Sequence, residues 1–184
     1  MSAAAHPALD RRDVVRRRCE FESLYHRHKE VVWRYCYLHC NRDAHIAEDV
    51  VQEVFSKAWR ALERGESTWA PKAWLLNISR NACIDQQRRA GRALPTVALS
   101  AAFEIADGSW EADSNGRVAF RETVAALRDV VMEIPHEELE AWFLCDVLGL
   151  SSREAAVALD VEAATTVRSR NKRARDKIAA VGFI

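Results

Sequence analysis

One stretch limits what this chain can fold into more than any other: Ile46, Ala47, Val50, Val51, Val54, Ala58 and Leu62 return at three- and four-residue spacing. At about 100° per residue these positions cover one broad face of a helix, and Glu48, Asp49, Gln52, Glu53 and Ser56 fall together on the other. The segment is an amphipathic helix with an acidic outer stripe. Its apolar side has to be buried against other elements.

The flanking sequence supplies helical partners. A helix over about 20–39 offers Phe21, Leu24, Tyr25, Val31, Val32 and Tyr35 as its buried side. The run Arg64-Gly65-Glu66-Ser67-Thr68 reads as a loop, and Pro71, at a first-turn position, opens a third helix that extends to about residue 89. On that helix Trp74, Leu75, Ile78, Ala82 and Cys83 form an apolar arc, while Asn77, Arg80, Asn81, Gln87 and Arg88 fill the opposite one. Arg and Asn make bidentate contacts with base edges or hold phosphate, so the second arc is suited to nucleic acid.

Residues 90–117 differ in character: they hold Gly91, Pro95, Gly108 and Gly116 with Glu104, Asp107, Glu111 and Asp113, and show little periodicity. They read as a linker. Beyond them helical patterning resumes. Phe120, Val124, Leu127 and Val131 form a stripe that stops at Pro135, and Leu139, Trp142, Phe143 and Val147 form another that stops at Gly149. Ser151 followed by Glu154 is a capping-box signature opening a short helix with Ala155, Ala156 and Leu159. Asp160 stands where a turn Gly often sits, and Asp tolerates the left-handed conformation better than most residues. A last helix over about 163–180 buries Val167, Ala174 and Ile178.

Composition agrees with a mainly helical globular chain: 49% hydrophobic and 29% charged residues, with only 6 Gly and 4 Pro among 184 residues. No apolar run is long enough to span a bilayer, and Arg11, Arg12, Arg16, Arg17 and Arg18 have no apolar stretch behind them, which reads as a cytoplasmic protein. The cysteines Cys19, Cys36, Cys40, Cys83 and Cys145 are odd in number, scattered and without a C-x-x-C, so free thiols are expected rather than disulfides or a zinc knuckle. Cys36, His39 and Cys40 lie close on one helix, but a metal site asks for a fourth ligand that the neighbourhood does not offer. No metal, cofactor or small-molecule substrate is expected. An enzyme finds little support, since there is no nucleophile with a positioned base and no phosphate-binding glycine loop.

Lys plus Arg and Asp plus Glu both number 27, yet the signs are segregated. Arg168, Arg170, Lys172, Arg173, Arg175 and Lys177 crowd the last helix around a lone acid, Asp176, and acids gather on the first amphipathic helix and at Glu133, Glu137, Glu138 and Glu140. That distribution suggests one surface for nucleic acid and another for a basic protein. A short capped helix, a tight turn and a basic second helix make a helix-turn-helix, which sets its second helix in the major groove. Thr165, Thr166, Arg168 and Ser169 are the expected base readers, and Arg170, Lys172 and Arg173 the expected phosphate contacts. A solvated charged helix would carry the same charges.

These residues resemble the extracytoplasmic-function sigma factors of the sigma-70 class. The resemblance to region 2 rests on Ala47-Glu48-Asp49-Val50-Val51-Gln52-Glu53-Val54-Phe55 and on the segment from Pro71-Lys72-Ala73-Trp74 to Ala82-Cys83-Ile84-Asp85. The resemblance to region 4 rests on Ile134-Pro135, Ser152-Arg153-Glu154-Ala155-Ala156 and Thr166-Val167-Arg168-Ser169-Arg170. It implies an all-α chain of two small helical domains: a basic tail at 1–17, region 2 at 18–89, a flexible linker at 90–117 and region 4 at 118–184. It also implies a transcription initiation factor whose partners are core RNA polymerase, at its β′ clamp and β flap, and promoter DNA, with an anti-sigma protein as a frequent further partner in the family. Asp49, Gln52, Glu53 and Phe55 match the polymerase contact; the loop 63–70 with Asn77, Arg80, Asn81 and Arg88 matches the −10 reader; the last helix matches the −35 reader. Trp69 or Trp74 could stack on a base, although Trp74 at helical spacing suits the core. The chain departs from the family in an extra residue between Leu159 and Val167, in Asn171 on the buried stripe, and in the acids of 135–148. A stand-alone helix-turn-helix regulator is the other reading of the same residues.

Overall fold

The computed structural model describes residues 11–91 and 133–180. Six α-helices are described: α1 (Arg11–His39), α2 (Ala44–Glu63), α3 (Pro71–Arg89), α4 (His136–Trp142), α5 (Ser152–Leu159) and α6 (Ala164–Ala179), with a π-helical stretch, Phe143–Val147, continuing α4. The expected linker from residue 92 onward and the stripe Phe120, Val124, Leu127 and Val131 lie outside the described residues. Among the described residues no helix is long and apolar enough to cross a membrane.

The helix boundaries follow local chemistry. The α1–α2 turn passes through Asn41 and Arg42 in the left-handed region, and Asp43 then caps α2, its carboxylate accepting from the backbone N–H groups of His45 and Ile46 at 3.0 and 3.1 Å. Pro71 opens α3 as expected. Ser151 and Glu154 form the full capping box of α5, and Asp160 ends that helix at φ 55° and ψ 47°. Gly149 takes φ 67° after the π-helical stretch, a left-handed conformation that glycine, lacking a Cβ, adopts without the strain other residues meet. One boundary differs from expectation: α1 begins at Arg11, not near residue 20, so the basic residues around Arg17 lie on a helix, and Arg17 donates to the Glu63 carbonyl at the end of α2.

Two apolar cores result. The first joins α1, α2 and α3 through Leu24, Val32, Val50, Val54, Phe55 and Leu75, with Cys36, Cys40 and Cys83 among them. The second is shared between the halves of the chain: Tyr35, Leu38, Ala73 and Leu76 from α1 and α3 pack with Leu139, Phe143, Leu144, Leu159 and Val167. Leu76 is wholly buried there, a contribution of roughly 2 kcal/mol for a side chain of this size. α3 therefore has two apolar faces, one turned to each core. The expected face of α6 (Val167, Ala174, Ile178) is buried as read from the sequence.

Candidate functional site

On α2 the acidic stripe stands outward. Asp49 and Gln52 are exposed, and Glu53 is half-buried between Lys57 at 2.8 Å and Arg89 at 3.3 Å. The Lys57 hydrogen bond in particular holds the Glu53 carboxyl below the usual carboxylate range, so it stays ionised. Phe55 is different: it is buried, with ring centroids 4.7 Å from Tyr25 and 6.3 Å from Phe21. It forms the floor of an open groove of about 550 Å³ lined also by Phe21, Tyr25, Val51, Gln52 and Trp59. Phe55 therefore shapes an aromatic groove beside the acidic stripe and does not project as part of it.

The polar arc of α3 is divided. Asn81 and Arg88 are exposed, but Asn77 and Arg80 are covered by the C-terminal helices. Arg80 Nε donates to both carboxylate oxygens of Glu140 at 3.0 and 3.2 Å, and Asn77 Nδ2 donates to the Ala158 carbonyl at 3.2 Å. Lys72 Nζ reaches the Leu148 carbonyl at 2.6 Å. Gln87, read from the sequence as part of the same arc, is instead buried and donates to the His39 carbonyl at 2.6 Å. Trp69, just before α3, is 58% exposed, with the Arg153 guanidinium 4.7 Å from its ring centroid. Trp74 packs against the first core, as its spacing suggested.

The charges of α6 are sorted by their direction. Away from the buried line of Val167, Ala174 and Ile178 stand Thr165, Ser169 and Lys172, with Arg168 toward one flank, all exposed. Among the described residues Arg168 and Lys172 have no acidic partner. A quarter-turn away, Arg170 pairs with Glu137, Arg173 and Lys177 pair with Glu138 at 3.3 and 3.1 Å, and on the far flank Arg175 meets Asp146 at 3.5 Å. The acids that looked out of place beside a DNA-binding helix thus neutralise one flank of α6 and leave its outward face free. Thr166 lies on that neutralised flank. Arg168 and Trp69 line the same open cavity of about 600 Å³ between the two halves.

One further feature was not legible in the sequence. Cys36 and Cys40 find their neighbour in Cys83 across the first core; its hydrogen bonds to Cys36 and then Cys40, with burial, push the Cys83 thiol far above its ordinary range. Such a thiol stays protonated and a poor nucleophile. Among the described residues no group of three His, Cys, Asp or Glu side chains is arranged to hold a metal ion. Asn171, the amide on the buried stripe, has a buried Oδ1 with no hydrogen-bond partner among the described residues.

Comparison with known proteins agrees with this architecture. The Sigma-70 region 2 family model matches residues 24–93. The chain is 34% identical to the ECF RNA polymerase sigma factor SigM of Mycobacterium tuberculosis over 96% of its own length and 80% of the relative's. It is 32% identical to the sigma factor SigC of the same species over 81% of this chain and 76% of that one. In fold it resembles the sigma factor RpoE of Bartonella quintana, crystallised in complex with the anti-sigma factor NepR, at a TM-score of 0.59 and 20% identity, covering 90% of this chain and 98% of that one. From the two-block helical architecture and the near full-length identity to SigM, the chain belongs to the extracytoplasmic-function RNA polymerase sigma factors.

Proposed function

We propose that the chain is a transcription initiation factor that binds core RNA polymerase through α2 and reads promoter DNA with α3, its preceding loop and α6. The N-terminal helices serve as region 2 within 18–89 and the C-terminal helices as region 4 within 118–184. The observation that carries this reading is the presence, in one chain, of an exposed acidic stripe at Glu48 and Asp49, with Gln52 beside them, and a capped helix-turn-helix whose outer side holds two cations with no acidic partner among the described residues. The stripe suits basic helices of the polymerase. Duplex DNA suits α6, because a helix fits the major groove and its outward residues meet base edges.

Within α6 the burden falls on Thr165, Arg168, Ser169 and Lys172, whereas Thr166, Arg170 and Arg173 face the acidic side of α4 and act mainly on the pose of the helix. For the −10 element, separated bases need stacking surfaces and cations, which Trp69, Asn77, Arg80, Asn81 and Arg88 supply. The test is run-off transcription with core polymerase on a genomic promoter library, comparing the native chain with Asp49→Lys. Defined start sites that vanish with the variant, together with loss of polymerase in a pull-down, support the reading. Undiminished association would sink α2 as the docking surface.

A further inference from the structure

The three thiols of the first core carry a chemistry that promoter recognition leaves unused. Cys36 and Cys40 stand one turn apart at the C-terminal end of α1, where the Cys40 N–H donates to the Cys36 carbonyl at 2.8 Å, and Cys83 on α3 is hydrogen-bonded to both side chains. Cys40 also borders a cavity of about 20 Å³, walled by His39, Ile46 and Gln87, with Asn41 and Ala90 exposed at its rim. That is more room than a single water needs. His39 and Gln87, 4% and 5% exposed, each carry a buried polar atom with no hydrogen-bond partner among the described residues, His39 Nε2 and Gln87 Oε1. The Gln87 amide is fixed in place, because its Nε2 donates to the His39 carbonyl at 2.6 Å. Buried polar atoms without partners are costly, so two of them on the residues around one small cavity mark a place for a small hydrogen-bonding guest.

We propose that this cavity admits hydrogen peroxide to Cys40, and that Cys40 and Cys83 then close a disulfide between the end of α1 and α3. The guest has to be small and able to hydrogen-bond, and a sulfur on the wall reacts with it only if it is an electrophile. The hydrogen bond with Cys83 lowers the Cys40 thiol below its ordinary value, against the opposing effects of burial and Asp43, so Cys40 is the thiol poised to ionise. Its thiolate attacks one peroxide oxygen and the O–O bond breaks. The other oxygen leaves as hydroxide and takes up the proton that the thiol released, giving water. Cys40 is then a sulfenic acid, and the anion that held the Cys83 proton in place is gone. The Cys83 sulfur displaces the sulfenic hydroxyl, which departs as a second water with the Cys83 proton. Two thiols are oxidised and one peroxide is reduced.

The test treats the full, reduced chain with limiting hydrogen peroxide alone, then alkylates the remaining thiols after unfolding and maps the peptides by mass spectrometry. Exposed Cys19 is the internal reference, since exposure by itself would make it react first. The expected result is a Cys40–Cys83 cross-linked peptide, reversed by a dithiol and formed about tenfold faster than Cys19 is lost. Cys83→Ser should stop at the Cys40 sulfenic acid, trapped by dimedone, and Gln87→Leu should slow Cys40 oxidation several-fold. Circular dichroism checks that each variant folds; where one does not, the peptide map of the native chain decides. Cys19 oxidised first, with Cys40 and Cys83 still alkylated, would overturn the proposal, as would a Cys36–Cys83 bond in place of the Cys40–Cys83 one. Unchanged oxidation of Cys40 in a folded Gln87→Leu chain would mean that the cavity holds water only, which overturns it as a peroxide site.

Discussion

Arg80 on α3 and Glu140 on α4, 60 residues apart in sequence, form an ion pair in which the carboxylate side chain is 5% exposed and the guanidinium 25%. The asymmetry decides what each deletion does. Removing Arg80 strands a buried carboxylate, with His136 at 3.6 Å as its one other ion-pair neighbour among the described residues, whereas removing Glu140 leaves a guanidinium that water already reaches. Arg80→Met should therefore destabilise the fold by about 3 kcal/mol and Glu140→Ala by about 1 to 2 kcal/mol, with the double variant less destabilised than the sum. Urea unfolding of the four proteins checks this. Equal losses that simply add would mean the pair contributes nothing as a pair.

On α6 the free and the neutralised cations should separate functionally. Arg168→Ala or Lys172→Ala is expected to weaken transcription from a cognate promoter about tenfold and to flatten the salt dependence by roughly one phosphate contact. Arg170→Ala, whose guanidinium is held by Glu137, should leave that salt slope nearly unchanged. A salt series of promoter binding by the holoenzyme reads both effects. The reverse ranking would place the DNA on the α4 side of the helix.

His39 gives stability a pH dependence. Burial first, then the charges of His136 and Arg80, lowers its pKa from 6.5 to about 3. Between those values the unfolded chain takes up a proton that the folded chain refuses, so stability is full above pH 6.5 and falls as the pH drops toward 3. The limiting loss is roughly 1.4 kcal/mol per pH unit. Between neutral and mildly acid pH the unfolding midpoint of the native chain should fall more steeply than that of His39→Leu. Parallel curves would show that His39 titrates normally in the folded protein.

The α5 helix should respond to both of its ends. Ser151→Ala removes the cap from the Glu154 N–H and should cost about 1 kcal/mol. Asp160→Gly relieves a left-handed backbone at φ 55° and should stabilise by several tenths of a kcal/mol, roughly. Thermal melts of the two variants should move in opposite directions.

Much of this was legible because it is local. The stripe of α2, Pro71, the Ser151–Glu154 box, Asp160 and the buried line of α6 each depend on residues a few positions apart, where helical periodicity and capping chemistry act. What escaped is long-range. Assigning one apolar face per helix hides Leu76 and Ala73, which lie on the polar side of α3 because that helix packs on two cores. The excess of acids at Glu137, Glu138 and Glu140 was visible, but its purpose depends on which cations the fold brings to each: Arg170, then Arg173 and Lys177, then Arg80. Spacing along the chain does not encode those pairings.

DNA binding with and without core RNA polymerase tests polymerase-dependent promoter recognition most directly. The measurement is anisotropy of a labelled duplex promoter fragment titrated with the chain alone and then with the chain bound to polymerase. A sigma factor gives promoter-specific binding only in the presence of polymerase, and Asp49→Lys removes it. Specific binding of the same fragment by the chain alone, undiminished by that substitution, would contradict the proposal.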